Sequence, residues 1–89
     1  MKPDEGTYFA RASARESKKD LSGALADYSK VLELNPNSAQ SYANRAAIEA
    51  IQGKTAGAAR DFDKAFALDP GLRAQYKDFI EKRHLKIRP

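Results

Sequence analysis

The chain has 89 residues, no cysteine and a formal net charge of +4, which allows one small domain and excludes disulfides and thiolate chemistry. No hydrophobic signal region opens the sequence and no apolar run approaches the roughly 18 residues of a membrane span, so we expect a cytoplasmic protein. The excess positive charge is confined to residues 73–89, which carry six basic and two acidic side chains.

A short turn joins the first two predicted helices. The first helix runs from about Gly6 to Lys18. Asp20 is the predicted N-cap of the second, because its carboxylate can accept a backbone N–H of the next turn. Pro36 ends this helix, since the residue before a proline is pushed out of helical geometry. Its apolar side chains recur at helical spacing: Leu21, Ala24, Leu25, Tyr28, Val31 and Leu32.

The next two helices follow the same plan. Asn37, with Gln40 three residues later, resembles a capping box at the start of the third helix. Gly53 supplies a left-handed turn at the end of that helix. Thr55 is the predicted cap of the fourth helix, which Pro70 ends.

A fifth helix follows, with one apolar stripe and charged residues elsewhere. The stripe consists of Leu72, Tyr76, Phe79, Ile80 and Arg83. Stacked helical repeats need a terminal helix of this kind, because their last apolar face would otherwise remain uncovered. The sequence therefore predicts an all-α fold of five helices, arranged as two antiparallel hairpins and a capping helix.

The two hairpins correspond to two copies of one 34-residue unit. Nine identities lie in register: Tyr8/Tyr42, Arg11/Arg45, Ala12/Ala46, Gly23/Gly57, Ala24/Ala58, Asp27/Asp61, Lys30/Lys64, Leu34/Leu68 and Pro36/Pro70. A helix–turn–helix unit of this length, with small residues where the helices cross and a terminal proline, resembles the tetratricopeptide repeat (TPR). The resemblance implies an α-α superhelix (a TPR solenoid) in a single domain. Repeat 1 spans 5–38, repeat 2 spans 39–72, the capping helix spans 73–85 and a tail spans 86–89.

Two features depart from the family pattern. Lys19 stands where the family usually places a glycine, so it must adopt a left-handed conformation or the turn must differ. Arg11 and Arg45 occupy a position that is often leucine in the family, and each repeat also has an aspartate in its second helix. We therefore predict structural salt bridges between Arg11 and Asp27 and between Arg45 and Asp61.

The resemblance implies a non-catalytic protein–protein interaction scaffold that holds a partner peptide or helix in a groove lined by the first helix of each repeat. The predicted groove residues are Phe9, Ser13, Glu16 and Ser17, then Gln40, Ala43, Asn44, Ala47, Ala50 and Ile51, then Ala74, Lys77, Asp78 and Glu81. The alanines predict a shallow apolar floor, which favours a partner helix.

One ligand class of the family is disfavoured. Family members that grip a C-terminal carboxylate resemble each other in a clamp of lysine, asparagine, asparagine, lysine and arginine. The corresponding positions here are Phe9, Ser13, Asn44, Ala74 and Asp78. Only the central asparagine is kept, so a carboxylate-clamp ligand is not expected.

Two alternatives to partner binding remain open. An exposed apolar face favours a homo-oligomer, as a self-association unit of a larger array. The basic tail, with Lys77, Lys82, Arg83, Lys86 and Arg88, could contact nucleic acid, although such charges also complement the end of a helix.

No enzyme, metal site or cofactor is expected. His84 is the only histidine, and the Gly53–Thr55 stretch lacks the upstream glycine of a phosphate-binding loop because that position is Ile48.

Overall fold

Five α-helices make up the computed structural model, which describes residues 3–87 and contains no strand within that range. The helices are α1 (Glu5–Ser17), α2 (Leu21–Leu34), α3 (Ala39–Ile51), α4 (Thr55–Leu68) and α5 (Leu72–Lys82). Short turns join α1 to α2 and α3 to α4 as hairpins, α2 packs against α3, and α5 packs against α4. The stacked helices measure 42 × 25 × 19 Å. The predicted all-α repeat fold is therefore confirmed.

Aspartates begin the two helices of the first hairpin. The Asp4 carboxylate accepts the Thr7 N–H at 2.9 Å, so α1 begins at Glu5, one residue before the predicted start. The Asp20 carboxylate accepts the Gly23 N–H at 3.1 Å, as predicted for the N-cap of α2. Each cap satisfies a backbone donor that has no partner within its helix.

Both caps predicted for the second hairpin are wrong. Ser38 precedes α3, and no side chain caps this helix. The Asn37 N–H is instead bound to the side chain of Asn35 at 3.1 Å, in a turn that delays the start of α3. Thr55 is the first residue of α4 and not its cap, because the preceding turn ends at Lys54.

The same left-handed turn ends α1, α3 and α5. Its central residue has a positive φ in each case: 67° at Lys19, 81° at Gly53 and 54° at His84. The next N–H bonds to the carbonyl five residues earlier, at 2.8 Å for Asp20 and Lys54 and 3.1 Å for Leu85. This is the geometry of a Schellman turn, which satisfies the last carbonyls of a helix.

Two apolar clusters form the core. One joins α1, α2 and α3 around Ala12, Ala24, Tyr28 and Ile48. The other joins α3, α4 and α5 around Ala43, Ala46, Phe62, Ala65, Phe66 and Leu72. Small side chains at these crossings allow neighbouring helices to approach closely.

The C-terminal end differs from the prediction. The capping helix ends at Lys82, three residues before the predicted position, because His84 turns left-handed. The chain then folds back, and Leu85 and Ile87 pack on the second cluster. This part of the chain is therefore not a free tail as far as residue 87; Arg88 lies outside the described residues.

Candidate partner-binding groove

Each hairpin is held by a salt bridge between its two helices, as the sequence predicts. Arg11 donates from Nε and Nη2 to the two carboxylate oxygens of Asp27, at 2.9 and 2.8 Å. Arg45 binds Asp61 in the same way, at 2.7 and 2.8 Å. Two parallel hydrogen bonds from one guanidinium fix the orientation of both side chains. The pairs therefore set the position of α1 on α2 and of α3 on α4.

Both aspartates are buried and ionised. Hydrogen bonds from the Arg11 guanidinium lower the pKa of Asp27 below its ordinary value. Burial would raise the pKa of Asp61, but the hydrogen bonds from the Arg45 guanidinium help to outweigh burial, and the pKa is lowered. The repeated tyrosines contact these arginines. The Arg11 guanidinium lies 5.5 Å from the Tyr8 ring centre. Arg45 lies 5.7 Å from the Tyr42 ring centre.

A polar contact between α1 and α2 lies beside the first cluster. The buried Tyr28 donates its hydroxyl to Oε1 of Glu16 at 3.0 Å. Burial, with the nearby Glu16 charge, raises the pKa of Tyr28 well above its ordinary value, so this hydroxyl keeps its proton. The half-buried Phe9 ring packs edge-on against Tyr28, with ring centres 5.6 Å apart. The Glu16 carboxylate is therefore anchored by a neutral donor.

A second polar cluster joins α3 to α5. Gln40 donates to Oδ1 of Asn44 at 3.0 Å and to the Tyr76 hydroxyl at 3.3 Å. Tyr76 in turn donates to the same Asn44 oxygen at 3.0 Å. Burial raises the pKa of Tyr76, which favours the hydroxyl form. The capping helix is thus tied by hydrogen bonds to two predicted groove residues.

Two of the alanines predicted for the groove floor are buried in this structure. Ala43 has no accessible surface and belongs to the second apolar cluster, and Ala50 is also buried. Ala47 is half-buried and packs on the same cluster. The reason is that these small residues let α4 and α5 approach α3 closely, and the approaching helices then cover them. A partner cannot reach Ala43 in this structure.

Other predicted residues do meet at the surface. Ser13 and Ile51 line one depression of about 420 Å³ between the ends of α1 and α3, together with Glu16, Ser17, Lys19 and Leu21. Ile51 is 47% exposed, so it offers apolar surface to a partner. We call the surface formed by Ser13, Glu16, Ser17, Gln40, Asn44 and Ile51 the groove face.

The predicted residues of α5 lie apart from that depression. Lys77 lines another depression of about 470 Å³, between α5 and the folded-back segment, with Ala74, Ile80, Leu85 and Ile87 among its neighbours. Asp78 is exposed and lines neither depression. The structure therefore does not bring Lys77 or Asp78 together with Ser13 and Ile51.

Sequence reasoning missed the two tyrosine hydroxyls that bind Glu16 and Asn44. Tyr28 and Tyr76 were predicted as core residues only. The sequence does indicate the role of Tyr28, because the equivalent residue of the second repeat is Phe62. A buried tyrosine in place of phenylalanine needs a hydrogen-bond partner for its hydroxyl.

The basic C-terminal side chains are partly engaged within the protein. The guanidinium of Arg73 lies 5.0 Å from the Phe66 ring centre, and that of Arg83 lies 4.8 Å from the Phe79 ring centre. Within residues 3–87, no cluster of potential metal ligands is found. None of the helices in the same range is long and apolar enough to cross a membrane.

Comparison with known proteins shows where the chain is similar. Two family models described as tetratricopeptide repeat match it, over residues 6–38 and 27–60. Tetratricopeptide repeat protein 36 of Bos taurus is 35% identical, covering 89% of this chain and 49% of that protein. The Hsp70-Hsp90 organizing protein of Triticum aestivum is 39% identical, covering 80% of this chain and 13% of that protein. The chain spans at most about half the length of these relatives. No solved structure matches significantly.

Proposed function

Because the chain belongs to the tetratricopeptide repeat family, whose proteins generally act as interaction scaffolds and not as catalysts, we propose that its groove face binds a peptide segment of a partner protein. One observation carries this proposal. Glu16, oriented by its hydrogen bond to Tyr28, lines the same depression as the exposed Ile51. Gln40 and Asn44, which are bound to each other, share one face of α3 with Ile51 by helical spacing. A mixed surface of this kind supplies both orientation and apolar contact to a bound chain.

The side-chain amides are suited to main-chain recognition. Asn44 uses its carbonyl oxygen for Gln40 and Tyr76, and an amide also carries an NH₂ group with two donors. Gln40 uses its NH₂ group and has a carbonyl oxygen that can accept. A donor and an acceptor on neighbouring side chains match the C=O and N–H of a peptide. This polar surface favours a partner bound through its main chain, whereas the alanine pattern favours an apolar partner helix.

The relative named Hsp70-Hsp90 organizing protein raises the question of a shared ligand. A clamp for a C-terminal carboxylate would need positive charge at residues 74 and 78, where this chain has Ala74 and Asp78. Asp78 would repel such a ligand. We therefore propose that the partner segment is not an acidic C-terminus.

Selection from a random peptide library displayed on phage tests the proposal. Peptides selected on the purified protein should lose binding to the variants Asn44→Ala and Ile51→Glu. Leu34→Glu is the matched control, because Leu34 is an apolar residue of α2 that is 55% exposed and lies outside the groove face. Circular dichroism establishes that each variant is folded. Selection of no peptide, or peptides indifferent to both groove variants, would contradict the proposal.

Self-association stays a prediction, and sedimentation equilibrium of the same variants tests it. A dimer that Ile51→Glu dissociates and Leu34→Glu does not would make a second copy the occupant of the groove face. A monomer at all concentrations would leave the groove face to another protein.

A further inference from the structure

We propose that the depression between the ends of α1 and α3 receives a lysine or arginine side chain of the bound segment. We call this depression the end pocket, and its lining is Ser13, Glu16, Ser17, Lys19, Leu21 and Ile51. The inference rests on the proposed function, because it specifies one side chain of the partner. The charge and the shape of the lining indicate which side chain of the partner the end pocket receives.

The carboxylate of Glu16 is the group that would bind the cation. Tyr28 donates to its Oε1 at 3.0 Å, and no hydrogen bond from residues 3–87 reaches its Oε2. Glu16 is half-buried, so its charge is less screened than that of an exposed glutamate. An oriented carboxylate with a spare oxygen is an acceptor for an ammonium or guanidinium group.

The ends of two helices add to the negative potential. α1 ends at Ser17 and α3 ends at Ile51, and both residues line the end pocket. The C-terminus of a helix carries roughly half a negative charge, which favours cations within the last turn. The Ser13 and Ser17 hydroxyls can accept further hydrogen bonds from a bound cation.

The apolar part of the lining indicates a side chain and not a free ion. About half of Ile51 is exposed and Leu21 is half-buried. Lysine and arginine bury their aliphatic stems on apolar surface while the charged head reaches a polar group. A lysine or arginine side chain could therefore pack its aliphatic stem on Ile51 and Leu21 while its charged group reaches Glu16.

Lys19 is the one opposing charge in the lining. It forms no salt bridge with Glu16 within the described part of the chain, so it does not neutralise that carboxylate. Its place in the second repeat is taken by Gly53. Lys19 therefore limits the affinity for a cation, and its removal should increase that affinity.

Three short peptides test the end pocket. They are acetylated and amidated at their ends and identical except at a central residue, which is lysine, norleucine or glutamate. NMR titration of the ¹⁵N-labelled protein should show the lysine peptide shifting the amides of Ser13, Ser17 and Ile51. Its affinity should exceed that of the norleucine peptide by about tenfold, as expected for hydrogen bonds to a charged group. Added salt should weaken binding of the lysine peptide.

Two substitutions identify the groups responsible. Glu16→Gln keeps an acceptor for Tyr28 and removes the charge, and it should weaken the lysine peptide by about tenfold. Glu81→Gln is the matched control, since Glu81 is an exposed glutamate of α5 that lies outside the end pocket, and affinity should stay unchanged. Lys19→Gly should tighten binding of the lysine peptide.

Equal affinities for lysine and norleucine peptides would overturn the inference, as would indifference to Glu16→Gln or no binding up to about 10 mM. Preference for the glutamate peptide would make Lys19 the binding group. The proposed function fails separately. Library peptides that need Asn44 and Ile51 but contain no basic residue would keep the proposed function and refute only the basic side chain.

Discussion

Arg15 and Glu49 occupy the same position in successive repeats, and they place a guanidinium and a carboxyl group beside equivalent aspartates. Arg15 donates from Nη1 to Asp27 at 3.0 Å, which gives that carboxylate a second guanidinium. Glu49 instead lies against Asp61, and burial together with this neighbouring carboxylate raises the pKa of Glu49 to about 7. Asp27 thus faces two guanidinium groups, whereas Asp61 faces one guanidinium group and a carboxyl group whose pKa is raised.

The proton on Glu49 should make stability depend on pH. Its pKa is about 7 in the folded protein and ordinarily 4.5, so between these values the folded state binds a proton that the unfolded state lacks. The free energy of unfolding should therefore fall as pH rises from about 5 to about 7, and level off above that. Partial exposure limits the change to about 1 kcal/mol. Urea unfolding at a series of pH values measures it.

Glu49→Gln should remove this dependence and stabilise the protein at pH 8, because an amide can donate to Asp61 without a charge. Glu81→Gln changes an exposed glutamate and serves as the control. Identical pH profiles for the wild type and Glu49→Gln would show that Glu49 does not titrate in this range. Loss of stability near pH 4 is a separate effect, because the lowered pKa values of Asp27 and Asp61 place their protonation there or below.

The two arginine–aspartate pairs should differ in strength. The Arg45 side chain is 25% exposed and the Arg11 side chain is 49% exposed, so solvent screens the second repeat's pair less. Double-mutant cycles with alanine should give a coupling energy of about 2 kcal/mol for Arg45 and Asp61. The coupling between Arg11 and Asp27 should be smaller. The reverse order would mean that Arg15, which also binds Asp27, matters more than screening.

The first four helices and both salt bridges could be predicted because each occurs in both copies of the repeat. The apolar period, the prolines and the aspartate–arginine pairs are local signals that the doubling strengthens. The groove face could not be predicted in the same way. Helical spacing shows that Ala43 and Ala47 share a side of α3, but which side α4 and α5 cover is decided by packing. The hydroxyl contacts of Tyr28 and Tyr76 likewise depend on how separate helices meet.

Lys19 should lower stability through its backbone. It has a φ of 67°, a left-handed conformation that costs a residue with a side chain roughly 1 kcal/mol relative to glycine. Lys19→Gly should therefore raise the free energy of unfolding by about that amount. Lys19→Ala removes the same charge without relieving the backbone and is the control. Equal stabilisation by both substitutions would assign the effect to charge.

The segment after α5 should contribute to stability through Leu85. This side chain is half-buried and packs on the cluster of α3, α4 and α5, and its N–H closes the turn at the end of α5 at 3.1 Å. Leu85→Ala keeps the backbone bond and removes the apolar contact, so the free energy of unfolding should fall by about 1–2 kcal/mol. Lys86→Ala changes the exposed neighbour and should alter stability by less than about 0.5 kcal/mol. Urea unfolding compares the two variants. Equal effects would mean that this segment does not cover the end of the repeat stack in solution, and that Phe79 and Ile80 of α5 close the cluster without it.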